Sequence, residues 1–416
     1  MGYAFQLGTA EVDVTPPLGL ELSGYGYFLE RRADGVDAPL IAQALFMEDG
    51  TGRKAVLFSA DLIGFAREFT GRVRTAVSAA TGAPPEAIAL CASHTHSGPA
   101  TIFLHGCGEV DPAYLEWLER RLVEAAVRAA QDTRPVTLST AHTSLPGIAY
   151  NRTRSGGPVD DLLQCLFVET GGEKPAAVVC RFSCHPVVLR GNNKKVSPDF
   201  VGDFRSACMA LWPGVKAVYL QGACGDLDPV VGGEERPARM RSIGRELAEC
   251  LARLWPERVP VRDPEIEGAL GTLALPFAEL GDEPHEFARK ADRLGPAYAR
   301  FAQESSAVLI RKIAEGTLPA EDLVEAQKIR IGDVVLYFHG AELFSKPAIQ
   351  LRERLGDRLW VVGYSNDFIG YVPDREDYEA GGYAAVNVPY MVHKPPYLPD
   401  VADRWVEKSA RFLSGR

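Results

Sequence analysis

The segment SHTHSGP at 93–99 sets His94 and His96 two residues apart, at the end of the apolar run AIALCAS at 87–93. Such a run suits a buried strand, and side chains two apart in extended backbone share a face, so both imidazoles can address one centre. A second apolar strand, AAVVCRFSCHP at 176–186, also ends in a histidine, His185, with Pro186 fixing where it stops. Two strand-end histidines in a chain holding only eight point to convergence on one rim of a sheet, where function collects. Imidazoles so placed suit zinc, which needs further donors and often takes a carboxylate. Glu342 closes the apolar strand VVLYFHGAE in the same manner; the competing role is an acid at a helix N-terminus.

The loop QGACGDLDPVVGG at 221–233 places Asp226 and Asp228 after the short strand AVYL. Carboxylates two apart in a glycine-rich loop can orient a histidine, bind a metal or act as a general base; their other use is to form the turn itself. Two basic segments, YNRTR at 150–154 and RGNNKK at 190–195, stand beside the expected rim in a chain whose net charge is −10. A carboxylate or oxyanion in a substrate would suit them, with solvated loop charge as the alternative.

To position these groups the chain offers three hairpin patterns, 42–61, 163–186 and 327–342, each with two strands around a glycine-containing turn. Their second strands end at Asp61, His185 and Glu342, and the first two hairpins are similar enough that an internal repeat competes with shared hairpin chemistry. Amphipathic helical patterns cover roughly 64–81, 112–131 and 236–255. The alternation of strands and helices places the chain in the α/β (α+β) class, with mixed β-sheets flanked by helices. Residues 283–326 are charged and helical in pattern, and read as an inserted helical pair, either a cap over the site or a solvated structural insertion.

With 416 residues the chain exceeds the usual single core, and a single domain over 1–416 carrying that insertion is expected. Hydrophobic residues at 46% and charged residues at 24% exclude extended disorder. No Lys/Arg run is dense enough for nucleic acid or a polybasic membrane patch, so the expected partner is a small-molecule substrate, with a homo-oligomer left open. The start MGYAFQLGTAEVDVTPP has no basic-then-apolar leader, and no stretch reaches ~18 apolar residues; a cytoplasmic location is expected. The eight cysteines are scattered singly without a CxxC, which fits buried free thiols in a reducing compartment.

Taken together, AEVDVTPP, HTHSGP, the NR pair at 151–152, the strand ending in HP, the GDLDP loop, GAELF and the tyrosine-rich stretch to about 390 resemble the neutral ceramidase family. HTHSGP is the most specific of these motifs, and their order holds over nearly the whole chain. The resemblance implies a Zn2+ cofactor held by His94, His185, Glu342 and Tyr371, the last in NDFIGYV, with His96, Arg152 and Tyr383 contacting substrate. The departures are Asp228 where the family's loop carries a serine that acts on the amide, Ala384 where ceramidases have Glu, and no extra C-terminal β-domain or secretion signal.

A carboxylate near zinc is better suited than a serine hydroxyl to taking a proton from water. The expected activity is hydrolysis of an amide or ester bond, lactams and lactones included, in a small polar substrate by zinc-activated water. Asp228 is the expected base, His96 and Arg152 steady the oxyanion, and no covalent enzyme intermediate forms. The alternatives are a ceramidase-like N-acyl lipid amidase, a metal-dependent isomerase or lyase working through an enolate, and a non-catalytic binding module.

Overall fold

A computed structural model describes residues 5–291 and 295–415. The first unit runs β1 (Gln6–Asp13), β2 (Ile41–Glu48), β3 (Lys54–Ala60), α1 (Arg67–Thr81), β4 (Ile88–Ala92) and α2 (Pro112–Gln131). β1, β2 and β3 pair antiparallel, and β4 joins β3 in parallel after the crossover through α1. The β2–β3 turn forms because Asp49 Oδ1 takes the N–H groups of Thr51 (2.8 Å) and Arg53 (3.0 Å), leaving Gly52 to adopt φ 85°. α2 begins where Asp111 accepts from Tyr114 N at 2.8 Å and Pro112 supplies a first helical residue.

The same plan recurs twice. The second unit is β5 (Thr137–Ser144), β6 (Leu162–Glu169), β7 (Ala177–Phe182), α3 (Phe200–Leu211), β8 (Lys216–Gln221) and α4 (Arg236–Leu254). The third is β9 (Ile266–Pro276), the helical pair α5 (Glu283–Ala291) and α6 (Pro296–Ala314), β10 (Glu321–Ile331), β11 (Val334–His339), α7 (Ser345–Leu355), β12 (Leu359–Val362) and α8 (Val401–Ser414). In each, three antiparallel strands are followed by a fourth that lies parallel to the third. The hairpins and the α/β class expected from sequence are therefore present, and the repeat is threefold. One boundary differs: residues 321–326 of the expected insertion are the first half of β10, because Val324 and Ala326 are buried in the sheet and pair with β9.

The three sheets face one another. Leu45 and Leu57 from the first, Leu166, Val179 and Leu220 from the second, and Ile329, Leu336 and Phe338 from the third share one apolar cluster. Each outer face is covered by its own pair of helices: Val73 and Leu122 over the first, Phe204 and Leu247 over the second, Leu351 and Trp405 over the third. No helix among the described residues is long and apolar enough to cross a membrane, and all eight cysteines are buried and free.

Equivalent glutamines stand in the second strand of each unit, since Gln43, Gln164 and Gln327 pair with Ser59, Arg181 and Phe338 respectively. Two of them close the seam to the neighbouring sheet. Gln164 Nε2 donates to the carbonyls of Asp357 (2.9 Å) and Leu359 (3.0 Å), and Gln327 Nε2 to those of Glu86 (2.9 Å) and Ile88 (3.0 Å). Gln43 makes no such bond, and its seam opens into a cleft of about 630 Å³. Each seam also carries an arginine from a crossover helix on a carboxylate: Arg74 on Glu325, Arg352 on Asp160 and Arg205 on Asp61. Asp61, one of the three polar strand ends, is thus spent on holding sheets together.

Candidate active site

Four residues beyond Ser59, Arg181 and Phe338, at one structural position in the three units, lie Ile63, His185 and Glu342. This position meets the ends of the fourth strands on a common rim. After β4 the chain does not stay extended: the strand ends at Ala92, and His94 adopts a left-handed backbone with φ 67°. The expected alternation of His94 and His96 on a strand is corrected accordingly. A turn brings the two rings together, centroids 4.8 Å apart. Left-handed backbone is costly for a residue with a Cβ and persists only when its surroundings hold it. Here His94 N donates to Leu62 O (2.9 Å) and His94 Nδ1 lies 2.6 Å from Ile63 O.

His185 is held in the same way, with Nδ1 3.0 Å from Leu227 O. A carbonyl only accepts, so each Nδ1 carries the proton and each Nε2 turns a lone pair inward. Both lone pairs point at one carboxylate oxygen: Glu342 Oε2 is 3.3 Å from His94 Nε2 and 3.4 Å from His185 Nε2. Burial lowers His185 and His96 from the ordinary imidazole value, with the nearby Arg152 charge adding to the effect, so both rings are neutral. His96 Nε2 sits 3.1 Å from His94 Nε2, and the three imidazoles form one buried group.

Two inward lone pairs and an ionised oxygen around one point repel one another unless a cation lies between them. His185 Nε2 and Glu342 Oε2 are buried with no hydrogen-bond partner. The donor set therefore fits zinc, which takes imidazole nitrogen and carboxylate oxygen in a compact shell. Tyr371 is alongside, because the short strands Ala341–Leu343 and Gly370–Val372 pair in parallel with Glu342 opposite Tyr371. Its hydroxyl accepts from an Arg152 terminal nitrogen at 2.6 Å. Gly225 of the GACGD loop has to be glycine, since a Cβ there would lie 2.5 Å from Glu342 O.

A cavity of about 530 Å³ opens onto this group, with His96, Arg152, Arg190, Tyr25, Tyr371 and Tyr383 in its wall. Asp228 is buried behind this wall, between two arginines that line it, accepting from Arg190 at 2.7 Å and Arg152 at 3.2 Å. Burial opposes its ionisation, yet the arginines prevail and its carboxyl falls below the usual range. Asp226, two residues earlier, faces away: it accepts from Asn151 Nδ2 (2.7 Å) and from Ser345 N (2.8 Å), bracing the NR turn against α7. Tyr383 stands half-exposed at the mouth, its hydroxyl 3.0 Å from Met391 Sδ.

No family model matches this chain, and no curated protein does. Solved structures do. The neutral ceramidase from Pseudomonas aeruginosa superposes with a TM-score of 0.75 at 18% identity, covering 98% of this chain and 73% of that one. A ceramidase complexed with C2 gives 0.75 and 18%, with 99% and 76% covered. The fold is that of the neutral ceramidases. At this identity the likeness is one of architecture, and the site has to be read from this chain's own atoms.

Of the residues singled out from sequence, His94, His96, His185, Glu342, Tyr371, Arg152, Asp228 and Tyr383 lie in or around this one cavity, and Asp226 turns away from it. Sequence reasoning missed Tyr25 and Tyr27 of the cavity wall, which come from the loop between β1 and β2. It also missed Tyr364, whose ring lies 4.1 Å from His94 and fixes that ring's tilt. Arg190 was legible only as one charge of a basic loop. Its φ of 66° and its bond to Asp228 single it out in the fold.

Proposed function

We propose that this chain is a zinc-dependent hydrolase that cleaves an amide or ester bond, lactams and lactones included, in a small polar substrate. The observation that carries the reading is the trio of inward acceptors on His94, His185 and Glu342 at the foot of a polar cavity. Tyr371 completes the proposed ligand set. Zinc held there would polarise the scissile carbonyl and acidify a water molecule. Arg152 and His96 stand where they can donate to the oxygen that gains charge as the carbonyl is attacked. Asp228 is the proton acceptor: two arginines keep it ionised through the neutral range, so it is always available, although the same charges make it a weaker base. With a carboxylate at that loop position, water rather than a protein nucleophile attacks.

The test is a set of N-acyl, lactam and lactone compounds offered to zinc-loaded wild type and Asp228→Asn in solvent enriched in oxygen-18. Label in the product, with turnover of the variant down ~100-fold or more and its zinc retained, is the expected result. Product without label would move the reading to lyase or isomerase chemistry, and near-normal turnover of the variant would remove Asp228 from it. The fold shared with ceramidases favours one second reading, amidase action on an N-acyl lipid. Turnover of micellar ceramide above that of small polar amides would select it.

A further inference from the structure

The two arginines that clamp Asp228 are not used alike. Arg152 is held by the protein at both terminal nitrogens: one bonds Asp228, and the other donates to Gly225 O (2.8 Å) and Tyr371 Oη (2.6 Å). Arg190 gives a single bond, from one terminal nitrogen to Asp228. Its remaining N–H groups have no protein acceptor among the described residues, and the side chain stands in the cavity wall. Tyr25 shares that wall, and its buried hydroxyl has no hydrogen-bond partner. The ring is not free to seek one. Arg31 lies over it at 4.9 Å and is itself tied to the carbonyls of Ser23 (3.0 Å), His96 (2.9 Å) and Asn193 (3.0 Å).

Burial pushes the Tyr25 phenol well above its ordinary value, so at neutral pH it is a donor. The wall thus offers the unused edge of a guanidinium, and the ring beside it carries a buried O–H that meets no acceptor of the chain. Asp228, behind the wall, already takes both arginines, and Asp377, in the wall, accepts from Ala385 N at 3.2 Å. A planar anion with two oxygens satisfies such an edge, whereas a hydroxyl or an acyl chain leaves it unmet.

We infer that the substrate carries a carboxylate read by Arg190 and Tyr25, on the far side of Asp228 from the Arg152–Tyr371 pair. This rests on the hydrolase reading, and it names the substrate class as amides or esters with a carboxylate near the scissile bond: N-acyl amino acids, or lactams and lactones bearing a carboxyl group. Arg190 is then a specificity-determining residue, distinct from the groups that act on the scissile bond.

The probes are N-acetylglycine and 2-pyrrolidone-5-carboxylate, each beside its neutral carboxamide, with wild type, Arg190→Gln and Tyr25→Phe, zinc content being measured in all three. Wild type should favour the acids by about 100-fold in kcat/KM; Arg190→Gln should lose most of this preference through KM on the acids, any effect through Asp228 falling on acid and carboxamide alike and leaving their ratio unchanged, and Tyr25→Phe should lose about 10-fold of it. No preference in wild type, or an equal loss on acid and carboxamide in Arg190→Gln, overturns the inference. If nothing is turned over, calorimetry of N-acetylglycine with the zinc-loaded proteins separates the two claims. Binding that Arg190→Gln weakens at least ~10-fold upholds the carboxylate site while the hydrolase reading falls; equal or absent binding overturns the carboxylate site.

Discussion

Glu342→Gln perturbs the ligand set with almost no change of volume. The side chain is 6% exposed, and its Oε2 is the point on which His94 and His185 converge at 3.3 and 3.4 Å. The amide can turn either a neutral oxygen or an N–H toward the metal position, and neither replaces an ionised donor. A four-ligand structural zinc is worth an apparent ~10–16 kcal/mol, so one donor accounts for about 3 kcal/mol, or roughly a 100-fold rise in Kd. At free zinc ~1,000 times the wild-type Kd, binding stabilises the wild-type fold by about 4 kcal/mol, whereas the variant, then at ~10 times its own Kd, gains about 1.4 kcal/mol. The rise in Tm on adding zinc should therefore be about three times larger in wild type than in Glu342→Gln. In chelator the two should melt close together, because the substitution removes a buried charge as well as its partners' contacts. Differential scanning calorimetry with and without EDTA, together with metal analysis, makes the comparison. A variant that holds stoichiometric zinc with a Kd within threefold of wild type would refute the argument that these three atoms are ligands.

Three further outcomes follow from the packing. Asp160→Ala strips the common partner from Arg181 and Arg352, buried at 0% and 7% side-chain exposure; a loss of about 3–5 kcal/mol in urea unfolding is expected, and an unchanged midpoint would contradict it. Gln164→Leu abandons two seam carbonyls and should cost about 1–3 kcal/mol, while Gln43→Leu at the open seam should fall within ~0.5 kcal/mol of wild type; equal effects would deny the seam role. Burial lowers His339 to about 3, so between its unfolded value near ~6.5 and that pH the unfolded chain takes up a proton that the fold refuses. Stability is lost as pH falls through this window, and His339→Gln should flatten the slope of unfolding free energy by up to ~1.4 kcal/mol per pH unit; a parallel slope would exclude His339 as a source of acid sensitivity.

The hairpins, the crossover helices and the strand-end residues His185 and Glu342 were legible because each rests on local pattern: apolar runs, turn residues, and a polar residue where a run stops. What was not legible depends on partners far away in sequence. Asp61 reads like His185 and Glu342 as a polar strand end, and only the position of Arg205 on α3 assigns it to a seam. His94 and His96 were expected to converge by strand alternation. They converge instead through a left-handed residue, whose strain is offset by bonds to Leu62 and Ile63. Tyr25 sits in a loop with no periodic signal, so neither its orphaned hydroxyl nor its cavity could be anticipated.

The threefold plan explains why the site is asymmetric. One position after the third strand supplies a donor in two units, as His185 and Glu342. In the first unit the same position is Ile63, whose carbonyl fixes the tautomer of His94. Placing a third donor there, as Ile63→His, would remove none of that carbonyl but would set an imidazole into the cluster formed by Ile102, Leu104 and Val388. Burying an unpaired polar ring in that cluster costs about 1–3 kcal/mol. The ligand that completes the centre therefore has to come from a fourth-strand loop, where the backbone has left the sheet and can turn. In the proposed centre His94 meets that condition in the first unit and Tyr371 in the third.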